Sequence, residues 1–185
     1  MKSVTRILIV EDDIHSAFDI LKALHDEPNV VFQLANNQSD GIKAIYDGTE
    51  WNAAIFDIKL PLSDFSGLYK RGEELSALTR NDGGLFLAAA FQECFPGRPM
   101  VIRTGFLKAV IDQIDPLLES GVCMVIEKGF ETRSTDDVKK YLFQKPKKKT
   151  FGEIAWDVVL SQPNIAGVGF DFKKLLAEIK EYLKK

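Results

Sequence analysis

Short apolar runs alternate with amphipathic stretches along residues 1–143. The run RILIV at 6–10 predicts a buried strand ending in three acids, Glu11, Asp12 and Asp13. A helix follows with Ile14, Ala17, Phe18, Leu21 and Leu24 on one face, and Pro28 and Asn29 break it. VVFQLA at 30–35 predicts the second strand. SDGIKAIYDG then predicts a helix with Ser39 as N-cap and Ile42 and Ile45 turned inward. A third strand at 53–56, within WNAAIFDIKLP, carries Asp57 to its carboxyl end.

At this point the rhythm breaks. Residues 63–82 are polar and punctuated by Gly67 and Gly72, with a short helix expected in RGEELSALTR. A loop of that length inside a domain is usually functional or mobile. Order resumes with GGLFLAAAFQECF, a helix whose apolar positions are Leu85, Ala88, Ala89 and Phe91. PMVIRTG is the fourth strand, ending at Thr104, and 106–120 is helical with Pro116 bending or breaking it. VCMVIEKG is the fifth strand and ends at Lys128, and STDDVKKYLFQ closes the domain as a helix capped by Ser134 or Thr135.

Strands alternating with helices imply an α/β fold, a doubly wound five-stranded parallel sheet with helices on both faces. We expect one domain over 1–143, with 63–82 as an inserted loop. Residues 144–185 form a C-terminal extension, a basic linker (KPKKK) followed by a helix. In DFKKLLAEIKEYLKK, Asp171 caps that helix and Phe172, Leu175, Leu176, Ile179, Tyr182 and Leu183 share its apolar stripe.

Composition narrows the function class. With 45% hydrophobic and 28% charged residues the chain can build a real core. A net charge of −3 gives no overall signal for DNA or for an anionic membrane. No apolar run approaches a membrane span and MKSVTRILIV lacks a signal-peptide pattern, so a cytoplasmic protein is expected. Cys94 and Cys123 lack metal-ligand spacing and read as reduced packing residues. His15 and His25 have no partner at metal spacing and read as surface residues. TRNDGG lacks the Lys-Ser/Thr of a phosphate-binding loop and reads as a helix start.

The chemistry-bearing groups all fall at strand ends: Glu11, Asp12, Asp57, Thr104 and Lys128. In an open α/β sheet these ends border one crevice, where ligands bind. Crowded carboxylates repel unless a cation joins them, and oxygen donors without His or Cys suit Mg²⁺. Asp57 is then a candidate nucleophile for an aspartyl phosphate. Lys128 supplies positive charge, and the Thr104 hydroxyl can bond a phosphoryl oxygen.

ILIVEDD, FDIKLP, VIRTG and VIEKGF, in that order, resemble the receiver domain of two-component response regulators over roughly 4–131, less 63–82. The resemblance implies a flavodoxin-like sheet of order 2-1-3-4-5, with its ligand site at the carboxyl ends of the strands. It implies Asp57 as phosphoacceptor, Thr104 as switch hydroxyl and Lys128 as the family's lysine. Glu11, Asp12, Asp57 and the backbone carbonyl of Lys59 would hold Mg²⁺. Asp13, just past the acidic pair, reads as a helix-start acid. The implied partners are a histidine kinase or phosphotransfer protein and an unidentified downstream protein in a phosphorelay. Oligomeric state is open, a homodimer included.

The chain departs from the family pattern in three places. Gly129 replaces the usual Pro after the lysine, Val125 fills the aromatic switch position, and Lys59 puts a cation two residues after the phosphoacceptor. No helix-turn-helix follows the domain, so the expected function is a stand-alone receiver that catalyses only its own phosphoryl transfer and dephosphorylation. Two rivals remain. A pseudo-receiver would bind partners without phosphorylation. A haloacid-dehalogenase-type phosphatase would want a second Asp where Lys59 stands.

Overall fold

The computed structural model describes residues 4–60, 83–105, 123–128 and 135–144. The segment 63–82, the helix expected at 106–120, Gly129, Ser134 and the extension from 145 onward lie outside the described residues.

The described strands are β1 (Thr5–Val10), β2 (Val30–Ala35), β3 (Ala53–Asp57), β4 (Met100–Thr104) and β5 (Cys123–Glu127). All pair in parallel in one sheet of order β2-β1-β3-β4-β5, as expected. The described helices are α1 (Ile14–Leu24), α2 (Gln38–Tyr46), α3 (Gly83–Cys94) and α4 (Thr135–Leu142). Successive strand residues point to opposite faces, which divides the core in two. Leu8, Val10, Ala54, Phe56 and Ile102 pack with α2 and α3, while Ile7, Ile9, Ala53, Ile55 and Val101 pack with α1 and α4. Both faces of the central strands are covered, which is why their sequences are continuous apolar runs.

The first helix is rotated from the expected face. Its buried residues are Ser16, Ala17, Ile20 and Leu24, whereas Ile14 is 71% and Phe18 63% exposed. Ser16 turns inward because its hydroxyl serves a buried acid, and that polar anchor does not register in hydrophobic periodicity. Asp13 caps the helix as expected, accepting a hydrogen bond from the His15 amide at 3.0 Å. Asn29 leaves the turn before β2 with φ of 62°, a left-handed conformation that Asn tolerates.

The cap of α2 is Asn37 and not Ser39. Asn37 is extended and its side chain accepts from the Asp40 amide at 2.8 Å, while its Nδ2 donates to the Asp40 carboxylate at 2.8 Å. Asn37→Ala should therefore cost about 1 kcal/mol of stability. Ser39→Ala should cost less than about half of that. Urea midpoints at unchanged slope would measure both, and equal losses would contradict the cap.

In α3 the expected Leu85, Ala88, Ala89 and Phe91 are buried, and so is every other residue from Gly83 to Gln92. This helix is enclosed all round, the setting in which an apolar stripe gives way to an apolar cylinder. The Phe91 ring meets Phe56 of β3 edge-on at 5.8 Å. Buried Gln92 is satisfied by the Arg98 carbonyl and the Gly97 amide. Neither cysteine is in a disulfide, and burial pushes the Cys123 thiol up to about 12, consistent with an inert packing residue. Among the described residues no helix is long and apolar enough to cross a membrane.

Candidate functional site

The parallel register brings four strand ends to one edge of the sheet. Val10 is level with Phe56, so Glu11, next after β1, lies beside Asp57 at the end of β3. Asp57 is in turn level with Arg103, and Thr104 with Glu127. The Lys128 amide donates to the Thr104 carbonyl at 2.8 Å, which fixes where β5 releases its lysine. The amide of Ile58 donates to the Arg103 carbonyl at 3.2 Å and extends the β3–β4 ladder past Asp57.

Glu11 and Asp57 are 1% and 5% exposed, and buried carboxylates need partners. Lys128 serves both. Its Nζ lies 2.7 Å from Glu11 Oε1 and 2.8 Å from Asp57 Oδ2. Asp12 is exposed, yet one oxygen from each of Glu11, Asp12 and Asp57 lies within 4.8 Å of the others. Thr104 is buried at the end of β4. Lys59 lies two residues beyond Asp57 with an exposed side chain. Val125, three residues before Lys128, is half-buried and packs against the core.

Charge explains the behaviour of the pair. Burial pushes the Asp57 carboxyl above the ordinary carboxylate range; the Lys128 hydrogen bond pulls it down, and Glu11 and Asp12 add to the rise. For Lys128 burial acts to lower the pKa, but hydrogen bonds to Asp57 and Glu11, with their charges, outweigh it and hold the ammonium above its usual value. The two partners differ because Lys128 faces two acids, whereas Asp57 faces one cation and two further acids. A hard dication would relieve that repulsion, and three carboxylates with no soft donor among them suit Mg²⁺.

Among the described residues Ser16 and Arg103 also reach Glu11, and neither was singled out in the sequence. Ser16 donates to Glu11 Oε2 at 3.1 Å. Arg103 Nη1 donates to both the carbonyl and the hydroxyl of Ser16 at 3.0 Å each, and lies 3.7 Å from Glu11 Oε2. A signal was available: an arginine inside the apolar strand VIRTG has to find a partner if it is buried.

No protein-family model matches the sequence, and no curated protein is recognisably similar to it. Solved structures do match. A CheY-like receiver domain protein from Methanospirillum hungatei is 23% identical, with a TM-score of 0.51 over 75% of this chain and 90% of that one. A receiver protein from Sinorhizobium medicae is 15% identical, with a TM-score of 0.52 over 85% and 96%. A response regulator from Burkholderia pseudomallei, solved with a phosphorylated aspartic acid and a calcium ion, is 15% identical with a TM-score of 0.51 over 86% and 75%. With its 2-1-3-4-5 parallel sheet flanked by helices on both faces, the chain has the fold of response regulator receiver domains.

Proposed function

We propose that this chain is a phosphorylation-switched signalling module in which Asp57 accepts a phosphoryl group and the modified surface changes its affinity for a partner protein. One observation carries the reading above all: Lys128 bridges Glu11 and Asp57 at 2.7 and 2.8 Å, beside a third acid, in the crevice of a receiver fold. A buried carboxylate held by one lysine among other acids is a costly arrangement for stability alone.

The chemistry follows from the side chains. An oxygen of ionised Asp57 attacks the phosphorus of a phosphohistidine donor; the P–O bond forms, the P–N bond breaks, and the departing imidazole takes up a proton. The donor is a histidine kinase or phosphotransfer protein. Lys128 holds its ammonium beside the attacking carboxylate, where negative charge gathers on the equatorial oxygens. The Thr104 hydroxyl donates to a phosphoryl oxygen and so reports the modification to β4. Glu11, Asp12, Asp57 and the carbonyl of Lys59 would hold Mg²⁺, which when bound neutralises charge on the transferring phosphoryl group.

Incubation with acetyl phosphate and Mg²⁺, followed by intact-mass measurement, tests the proposal. A single phosphate adduct, removed by hydroxylamine, is the expected result. Turnover of phosphate esters would make the protein a phosphatase instead. Neither adduct nor turnover would leave an interaction module that works unphosphorylated.

A further inference from the structure

Glu11 sits between two cations. Its Oε1 meets Lys128 at 2.7 Å and, more weakly, the Asp13 amide at 3.4 Å. Its Oε2 takes the Ser16 hydroxyl at 3.1 Å and has Arg103 at 3.7 Å. Both oxygens therefore have partners, and Asp12 is the acid of the pair that is open to solvent. Arg103 is only 16% exposed, so its charge is poorly screened where it acts. It reaches the acid from β4, level with Asp57, and its Nη1 donates to Ser16, whose hydroxyl passes the contact on to Glu11.

We infer that Arg103 is a positioning residue of the cation pocket: it clamps Glu11 through Ser16 and, by cancelling charge there, sets how tightly the pocket holds a divalent cation. Of the described side chains in this cluster, the three carboxylates and Lys128 sum to −2, and adding Arg103 brings that sum to −1. A dication feels that difference directly. The same guanidinium ties the first turn of α1 to β4, so Glu11 is held to one orientation while the pocket fills and empties. The inference rests on the reading of Glu11, Asp12 and Asp57 as the Mg²⁺ site, and deepens it by naming what limits the affinity.

Two variants separate charge from shape. Arg103→Gln keeps a neutral donor for the Ser16 carbonyl and removes the charge; Arg103→Lys keeps the charge and loses the fork. Calorimetric titration of Mg²⁺ into wild type and both variants is the measurement. Arg103→Gln should bind Mg²⁺ about 10-fold more tightly, the order expected for one unit charge acting on a dication across a partly screened gap. Arg103→Lys should stay within about 2-fold of wild type. Equal affinity in wild type and Arg103→Gln, or weaker binding in both variants, would overturn the inference and leave Arg103 a packing residue. If Arg103→Gln fails to fold, the lysine variant still decides: a change beyond about 5-fold contradicts control by charge. Parallel acetyl phosphate labelling of wild type keeps the two readings apart. Labelling with no affinity gain in the variant sinks only the role of Arg103. No Mg²⁺ binding and no labelling in wild type sinks the pocket, and this role with it.

Discussion

Asp57→Asn should abolish phosphoryl uptake and raise the melting temperature in the same protein. The amide cannot attack phosphorus, so labelling falls to background. Stability rises for a separate reason. Folding raises the Asp57 pKa because burial, with Glu11 and Asp12 nearby, outweighs the bond from Lys128. The folded chain thus binds a proton at Asp57 more readily than the unfolded chain, and ionised Asp57 costs stability. Asn keeps an oxygen for Lys128 and removes that cost. A gain in stability, and with it a higher Tm, is expected at neutral pH. The sign with pH follows from the direction of the shift. The penalty is complete above the folded pKa, shrinks as pH falls through it, and is gone below the unfolded value of about 3.9. Thermal melts with chelator, from pH 8 down to about 4, should therefore show a gap between variant and wild type that closes on the acid side. A destabilised Asn variant would mean that the ion pair with Lys128 outweighs the burial of the acid.

Much of this architecture was legible because it rests on simple signals. The central strands are apolar on both faces, so RILIV and AAIF stand out, and Glu11, Asp57, Thr104 and Lys128 stand out by ending such runs. What stayed hidden depends on polar side chains inside the core. Ser16 and Arg103 are a helix serine and a strand arginine until the register sets β4 beside Asp57 and α1 against both. The same network explains the misplaced face of α1, since a wheel built on Ile14 and Phe18 leaves out the serine that anchors the helix. The α2 cap was missed because Asn37 and Ser39 carry equivalent side-chain chemistry, and only the extended backbone at Asn37 separates them. In α3 the sequence is apolar enough for any face, so periodicity could not show that all of them are covered.

Gly84→Ala should do the most structural damage for its size. Alanine in the first turn of a helix ordinarily gains up to about 1 kcal/mol over glycine. Here the added Cβ would stand 1.9 Å from the Asp57 carbonyl oxygen, 2.6 Å from its carbon and 2.8 Å from Ile58 Cα. All three are backbone atoms, so no rotamer change can clear them. The Gly84 amide donates to the Ile58 carbonyl at 3.0 Å, which shows how closely α3 is seated on the end of β3. Either the helix lifts or the strand end moves, at a cost of about 3 kcal/mol. Gly83→Ala makes a useful contrast, because the three atoms nearest its Cβ would all belong to the Gln38 side chain, which can turn aside within the limits of a buried site. It should lose clearly less stability. Function gives the second readout. A shift of Asp57 by about 1 Å misaligns attack and is worth about 100-fold in labelling rate. Denaturant midpoints and acetyl phosphate labelling on both alanine variants should rank Gly84 above Gly83 in each. If Gly84→Ala is as stable as wild type and labels at the same rate, α3 is not seated on Asp57, and some other contact must hold the acid in the crevice.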